Sequence, residues 1–225
     1  MSDSTAGRAA QKARTRARIR TVPQELFAAQ GFDAVPITEI AAAAEVSVQT
    51  VFNHFTSKEE LFFADRATWV EGPAEAVRTC PPGVAPTTAL RRFLVAAVAD
   101  YVRGLAEPQT RRMIEVLEGT PALLTYERSL HEEAVALLAT ELSRVWRLGE
   151  RPTQGAAPVL LAEVAASVWM AGVRSIVLNM RSTQDSPGDE KSIRAAGALT
   201  DRVLVGMERT LSASPTAQAL IARAS

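Results

Sequence analysis

Residues 38 to 58, TEIAAAAEVSVQTVFNHFTSK, constrain this chain more than any other stretch. Ile40, Ala41 and Ala44 share one face of a helix, and Val51 and Phe55 give a second apolar face at i, i+4. The two runs are separated by a tight turn, and the small alanines of the first let the second pack closely across it. The outward positions of the second run are Ser47, Val48, Gln49, Thr50, Asn53 and His54. They are short or hydrogen-bonding and carry no acid, so they can approach a polyanion. This is the helix-turn-helix design, in which the second helix lies in the DNA major groove.

Net charge does not point to a nucleic-acid partner, because 25 basic residues cancel 25 acidic ones. The distribution does. Arg8, Lys12, Arg14, Arg16, Arg18 and Arg20 stand against the single acid Asp3 in the first twenty residues. A basic arm directly before a helix-turn-helix is where phosphate contacts would act, and counterion release would make them salt-dependent. The alternative is a solvated, partly disordered tail. Cys80 is the only cysteine, so no internal disulfide is available. The polar N-terminus lacks the apolar core of a signal peptide. The most apolar stretch, Ala156 to Val173, is interrupted by Glu163 and followed by Arg174. A span needs roughly 20 nearly charge-free residues, so this segment reads as a buried helix and no membrane partner is expected. A cytoplasmic location is expected.

The alanine-rich, aromatic-poor composition favours helix. Residues 1 to about 14 are expected to be disordered or to order on binding. A first helix follows, with Ile19, Val22, Leu26 and Phe27 on one face and Gly31 at its end. Pro23 predicts either a kink or a helix that starts only near it. Pro36 suits the first turn of the next helix. Ser57 with Glu60 is a capping box, opening a helix through Leu61, Phe62, Ala67 and Val70 to about Arg78. Further helices are expected over 86–106, 108–118, 121–149, 156–183 and 189–212. The breaks between them fall at Glu107-Pro108, Gly119-Thr120-Pro121, Gly149 to Pro158 and Ser186-Pro187-Gly188. No strand pattern of useful length and no internal repeat is evident. The chain reads as all-α, with an N-terminal helix-turn-helix domain over 1–57 and a C-terminal helical bundle over 58–225.

Residues 19 to 61 resemble the DNA-binding domain of TetR-family transcriptional regulators. Leu26-Phe27 with Gly31-Phe32 matches the end of that family's first helix. Ile40-Ala41 with Ala44, Val46 and Ser47 matches its second helix and turn. Thr50-Val51-Phe52-Asn53-His54-Phe55 with Ser57-Lys58 matches its recognition helix and the start of its fourth helix. The C-terminal region resembles the family only in length and helix content. Three positions depart from the pattern. Glu45 stands where the turn usually carries Gly, and a positive φ there would cost about 1–2 kcal/mol. Gln49 replaces a frequent Gly and puts a long amide at the DNA surface. Phe52 replaces a frequent Tyr, loses its phosphate-reaching hydroxyl, and is free simply to pack.

By position and by this resemblance, Thr38, Ser47, Val48, Gln49, Thr50, Asn53, His54 and Lys58 are expected to face DNA. Gln49 and Asn53 suit base reading, since an amide can pair bidentately with adenine. Val48 suits a thymine methyl, and Ser47 or Thr50 a phosphate. Lys58 sits in the first turn of a helix, where its charge and the helix N–H groups both favour phosphate. His54 has the alternative of capping or packing locally.

A single helix-turn-helix reads only a few base pairs, so a homodimer on an inverted-repeat operator is expected. Ala162, Ala165, Ala166, Ala171 and Gly172, with the face from Ala195 to Met207, offer close helix approach at a four-helix dimer seam. The alternative is that these faces close the protein's own core. The resemblance also implies a small-molecule effector in the C-terminal bundle that changes the spacing of the two recognition helices. Phe93, Tyr101, Met113, Leu117, Tyr126, Trp169 and Val173 are candidates to line its pocket, or are plain core. Glu163 and Arg174 lie about three turns apart on one helix face. They suit either the effector's polar groups or a pair across the dimer.

The expected function is that of a repressor relieved by ligand. The alternatives are a regulator without a ligand and, less favoured, a DNA-targeted enzyme. The enzyme lacks support in the sequence: there is no Gly-rich phosphate loop, no nucleophile elbow and no paired ligands beside His131. No metal or cofactor is expected.

Overall fold

The computed structural model describes residues 3–147, 157–182 and 188–212, all helix, turn or loop. Eleven helices run in chain order among these residues, and they group into two compact units. The first unit holds residues 1–66 and 108–127, and the second holds 67–107 and 128–225. The expected boundary at 57/58 therefore falls inside the first unit.

The first unit is built from α1 (Asp3–Gln30), α2 (Ile37–Ala43), α3 (Val48–Phe52), α4 (Lys58–Phe62), α8 (Pro108–Gly119) and the first residues of α9 (Pro121–Arg147). Its core contains Ile19, Phe27, Ile40, Ala44, Val51, Phe55 and Leu61, as the apolar spacing predicts, together with Val35 from the loop between α1 and α2. Phe27, Phe32 and Phe62 meet with ring centroids 5.3 to 6.0 Å apart, in the tilted and edge-on geometries that aromatic quadrupoles prefer. Gln24 Nε2 donates to the Leu61 and Phe62 carbonyls, each at 3.0 Å, and so ties α1 to carbonyls that α4 itself leaves open.

Two expectations for α1 change. Helix runs through the arm from Asp3, where disorder or order on binding is expected, and it continues through Pro23, so it does not start only at that proline. The proline ring is buried. Apolar burial thus opposes the loss of the one hydrogen bond that proline cannot donate. Gly31 ends the helix at φ +86, donating to the Phe27 carbonyl at 2.9 Å. The side chains of Arg8, Lys12, Arg14 and Arg16 lie outside the described residues.

The second unit is built from α5 (Ala67–Val70), α6 (Gly72–Arg78), α7 (Pro86–Gly104), the rest of α9, α10 (Ala157–Ser182) and α11 (Glu190–Ser212). The long helix expected from Ser57 to Arg78 is instead three short ones, α4, α5 and α6. Pro73 in the first turn of α6 has no N–H to continue a helix from α5. A β-carbon at Gly72 would stand 2.3 Å from Phe93 Cζ, so glycine admits the ring of α7 at that joint. The later helices begin at Pro86, Pro108 and Pro121, as proline at a helix start predicts. Most of the expected break from Gly149 to Pro158, and Ser186-Pro187, lie outside the described residues.

Leu90, Leu94, Val98, Leu138, Leu142, Trp146, Trp169 and Leu204 centre the second unit's core. Arg91 of α7 reaches Asp201 and Glu208 of α11, and Thr87 Oγ1 donates to Glu208 at 2.6 Å. The small residues expected at a dimer seam serve this core instead. Ala162, Ala165 and Ala166 are fully or almost fully buried in it. A β-carbon at Gly172 would stand 2.6 Å from Met207 Cε of the same chain. Ala196 and Leu204 are also buried there, with Leu199, Val203 and Met207 packed alongside. Ala171 remains exposed.

Candidate nucleic-acid interface and C-terminal groove

The turn between α2 and α3 fixes the angle at which α3 is presented. Val46 N donates to the Ala41 carbonyl at 2.9 Å and Glu45 N to the Ala42 carbonyl at 3.0 Å. These are the 6→1 and 5→2 bonds of a Schellman motif, with Glu45 at the position that glycine normally fills. Glu45 adopts φ +52, the only positive φ of a non-glycine among the described residues. Its carboxylate is paired with the Arg18 guanidinium, and Arg20 pairs with Asp65 at 3.1 Å. Both described arginines of the basic arm are thus held against acids of the same unit.

Ser47 caps α3, its Oγ accepting from Thr50 N at 3.1 Å and lying 2.8 Å from the Thr50 hydroxyl. Val51 and Phe55 face inward with at most 2% exposure. Thr38, Ser47, Gln49 and Asn53 are exposed, whereas Thr50 and His54 are half-buried. Gln49 Nε2 donates to Asn53 Oδ1 at 3.1 Å. Val48 is half-buried against the first unit's core, so it is poorly placed to reach outward. Phe52 reverses the packing expectation, being 45% exposed. It lies one residue beyond the inward Val51, about 100° round the helix, and that offset is the signal by which the sequence marks it as outward.

Lys58 stands in the first turn of α4, which Ser57 caps by accepting from Glu60 N at 3.1 Å. The Glu60 carboxylate reaches back one residue further than a capping box requires, accepting from Thr56 N at 2.7 Å and the Thr56 hydroxyl at 2.8 Å. Lys58 Nζ lies 4.5 Å from the Phe32 ring centroid and 3.5 Å from the Asp33 carbonyl oxygen. Burial lowers its pKa from the usual lysine value, with Asp33 and Glu59 opposing that shift.

The residues expected to line an effector pocket are divided between the two units. Leu117 and Met113 belong to the first unit's core and its margin, and Tyr126 stacks on Phe63 at 5.5 Å in the same unit. Leu117 is buried there, and Met113 and Tyr126 are half-buried. Trp169 and Val173 lie in the second unit's core, with Phe93 and Tyr101 against it. Trp69 meets Tyr101 edge-on at 5.9 Å, and Arg181 Nε donates to the Tyr101 hydroxyl at 2.8 Å. The Trp169 indole N–H is buried without an acceptor among the described residues. Glu163 lines a groove of about 1190 Å³ between α9 and α10, opposite His131, Glu132 and Val135. Arg174 is half-buried and is not among the residues lining that groove. No cluster of three or more metal-ligating side chains occurs among the described residues.

Residues 24–64 match the family model described as bacterial regulatory proteins, tetR family. The HTH-type transcriptional regulator TcmR of Streptomyces glaucescens is 32% identical over 130 residues. That match covers 56% of this chain and 58% of TcmR. Solved structures share the fold at lower identity. NalD of Pseudomonas aeruginosa, the secondary repressor of the MexAB-OprM efflux pump, is 21% identical with a TM-score of 0.54, covering 88% of this chain and 96% of its own. SmeT, solved as a complex with triclosan, is 19% identical with a TM-score of 0.55, covering 85% of this chain and 90% of its own. A TetR-family regulator from Streptomyces coelicolor is 20% identical with a TM-score of 0.52, covering 86% and 96%. Residues 24–64 thus resemble the DNA-binding segment of the tetR family of bacterial regulatory proteins, and the chain spans less than two thirds of the curated relative it matches.

Proposed function

We propose that this protein is a cytoplasmic transcriptional repressor that binds double-stranded DNA as a homodimer on an inverted repeat and releases it when a small molecule binds the second unit. The observation that carries the reading is the outward face of the helix-turn-helix. Thr38, Ser47, Gln49 and Asn53 present hydroxyls and amides without an acid among them, above Val51 and Phe55 that anchor α3 from below. Thr50, His54 and Lys58 flank that face at the half-buried level, where hydroxyl, imidazole and ammonium groups suit phosphate oxygens. Val48 supports the surface from beneath.

Dimerisation is supported by Leu160, Val164 and Val168, which are 59%, 44% and 40% exposed at i, i+4 and i+8 along α10. An apolar stripe of that length is unfavourable in water and favours burial against a second copy. The segment Leu160–Ser182 is long and apolar enough to cross a membrane, and 44% of its most apolar window is buried within the protein. We assign the exposed remainder to the second copy rather than to lipid. The effector reading draws on the unpartnered Trp169 N–H, since a buried donor left unsatisfied costs about 1–3 kcal/mol and a polar ligand atom would satisfy it. SmeT, which shares this fold, is solved as a complex with the small molecule triclosan.

Selection of bound fragments from a random duplex pool at about 0.15 M salt, where non-specific phosphate binding is weak, tests the DNA reading. An enriched inverted repeat supports a dimeric sequence-specific regulator, and no enrichment by folded protein removes the reading. Thermal-shift screening with apolar compounds tests the effector separately. If no compound raises the melting temperature, a regulator without a ligand becomes the better description.

A further inference from the structure

Gln49 and Asn53 stand one helical turn apart on the exposed side of α3, joined by the 3.1 Å bond from Gln49 Nε2 to Asn53 Oδ1. A primary amide carries two donor hydrogens and one acceptor oxygen. With one N–H and one oxygen engaged between them, Gln49 presents its oxygen and Asn53 presents its NH₂. The pair therefore sets a free acceptor oxygen on Gln49 beside the NH₂ of Asn53, with the second Gln49 N–H also left as a donor. Turning both amides over exchanges the roles and leaves the same combination.

Phe52 belongs to this surface. At about 100° per residue it lies roughly 60° from Gln49 around the helix, and Asn53 lies roughly 40° to the other side. Its ring is 45% exposed, whereas Val48 is half-buried against the core. Phe52 is thus the apolar group that reaches outward.

In the major groove, adenine offers an acceptor at N7 and a donor at N6, and its partner thymine adds the 5-methyl group. Guanine offers two acceptors. An acceptor set beside an NH₂ matches adenine N6 and N7, whereas the same pair on guanine leaves the amide oxygen without a donor. An exposed ring matches the thymine methyl. We propose that Gln49, Asn53 and Phe52 act as one unit that reads an A·T pair or step in each half-site, with the two amides working as a hydrogen-bonded pair. This rests on the DNA-binding reading above and adds a base identity and a coupling to it.

The test is fragment selection at about 0.15 M salt with the full chain and its Gln49→Ala, Asn53→Ala and double variants. The wild type should enrich an inverted repeat with A·T at one position or step. Both single variants should relax preference there by roughly ten-fold or more, and the double variant by little more than either. Loss at two separate positions, additive loss in the double variant, or unchanged preference would overturn the paired reader, as would selection of G·C at the affected position. A wild type that selects no motif overturns the DNA-binding reading itself, a distinct result. Phe52 is tested from the DNA side, which leaves the protein intact. Replacing the operator thymine with uracil, which lacks the methyl, should weaken binding to the wild type several-fold and leave Phe52→Ala indifferent. Equal affinity of the wild type for both duplexes would remove Phe52 from the unit.

Discussion

Replacing Glu45 with glycine should stabilise the first unit relative to replacing it with alanine, and the difference isolates one backbone angle. Glu45 sits at φ +52 in the Schellman turn that sets α3. An L-residue there costs about 1–2 kcal/mol. Glycine removes that strain but adds about 0.4–1 kcal/mol of unfolded-chain entropy. The net advantage of glycine over alanine is therefore about 0–1.6 kcal/mol, with a midpoint near 0.8. Both variants lose the Arg18 pair, whose side chains are 49% and 78% exposed, so that shared loss stays below about 1 kcal/mol. Tryptophan fluorescence is blind to the change, because Trp69, Trp146 and Trp169 all lie in the second unit. Hydrogen exchange at the Val51 and Phe55 amides, bonded to the Ser47 and Val51 carbonyls, reports the right unit. Exchange should be about two- to five-fold slower with glycine than with alanine. Equal rates would mean that the positive φ stores no strain beyond that entropy. Both variants also free Arg18, so operator affinity should fall more steeply with salt than in the wild type.

Lys58→Met keeps a stem over Phe32 but removes the charge, so the salt slope of DNA binding should fall by about 0.9 per protomer with base preference unchanged. Because burial lowers the Lys58 pKa, the unfolded chain binds more protons as pH climbs towards 10.5. Wild-type stability should therefore rise over that range, and the methionine variant should lack that rise in urea midpoints. Val164→Glu with Val168→Glu should reduce the mass in sedimentation to that of a monomer and abolish binding to an inverted repeat, whereas an unchanged dimer would relocate the seam. Gly188→Ala should destabilise the second unit by more than about 1–2 kcal/mol, read by tryptophan fluorescence, since φ is +89 and the new β-carbon would meet Ala106 N at 2.6 Å.

The residues that drive local structure were legible in the chain. Pro86, Pro108 and Pro121 start helices, and Gly31 ends one, because proline lacks a donor and glycine tolerates positive φ regardless of what surrounds them. The inward face of the helix-turn-helix followed from spacing, whereas the positive φ at Glu45 was raised only by the resemblance, which puts glycine at that position. The division of residues 57 to 78 did not follow. Gly72-Pro73 was visible, but only the approach of Phe93 shows why that joint is tight.

The sequence by itself determined an all-helical chain, the helix-turn-helix and its acid-free face, since these depend on residue type and on spacing within one or two turns. Tertiary structure decided which apolar faces meet. It directed Ala162, Ala165, Ala166 and Gly172 into the second unit's own core and left Leu160, Val164 and Val168 outside. It set Met113, Leu117 and Tyr126 among the packing of the first unit. A helical period records that a face is apolar. The partner of that face is set by contacts between residues far apart in the chain, and the period carries no information about them.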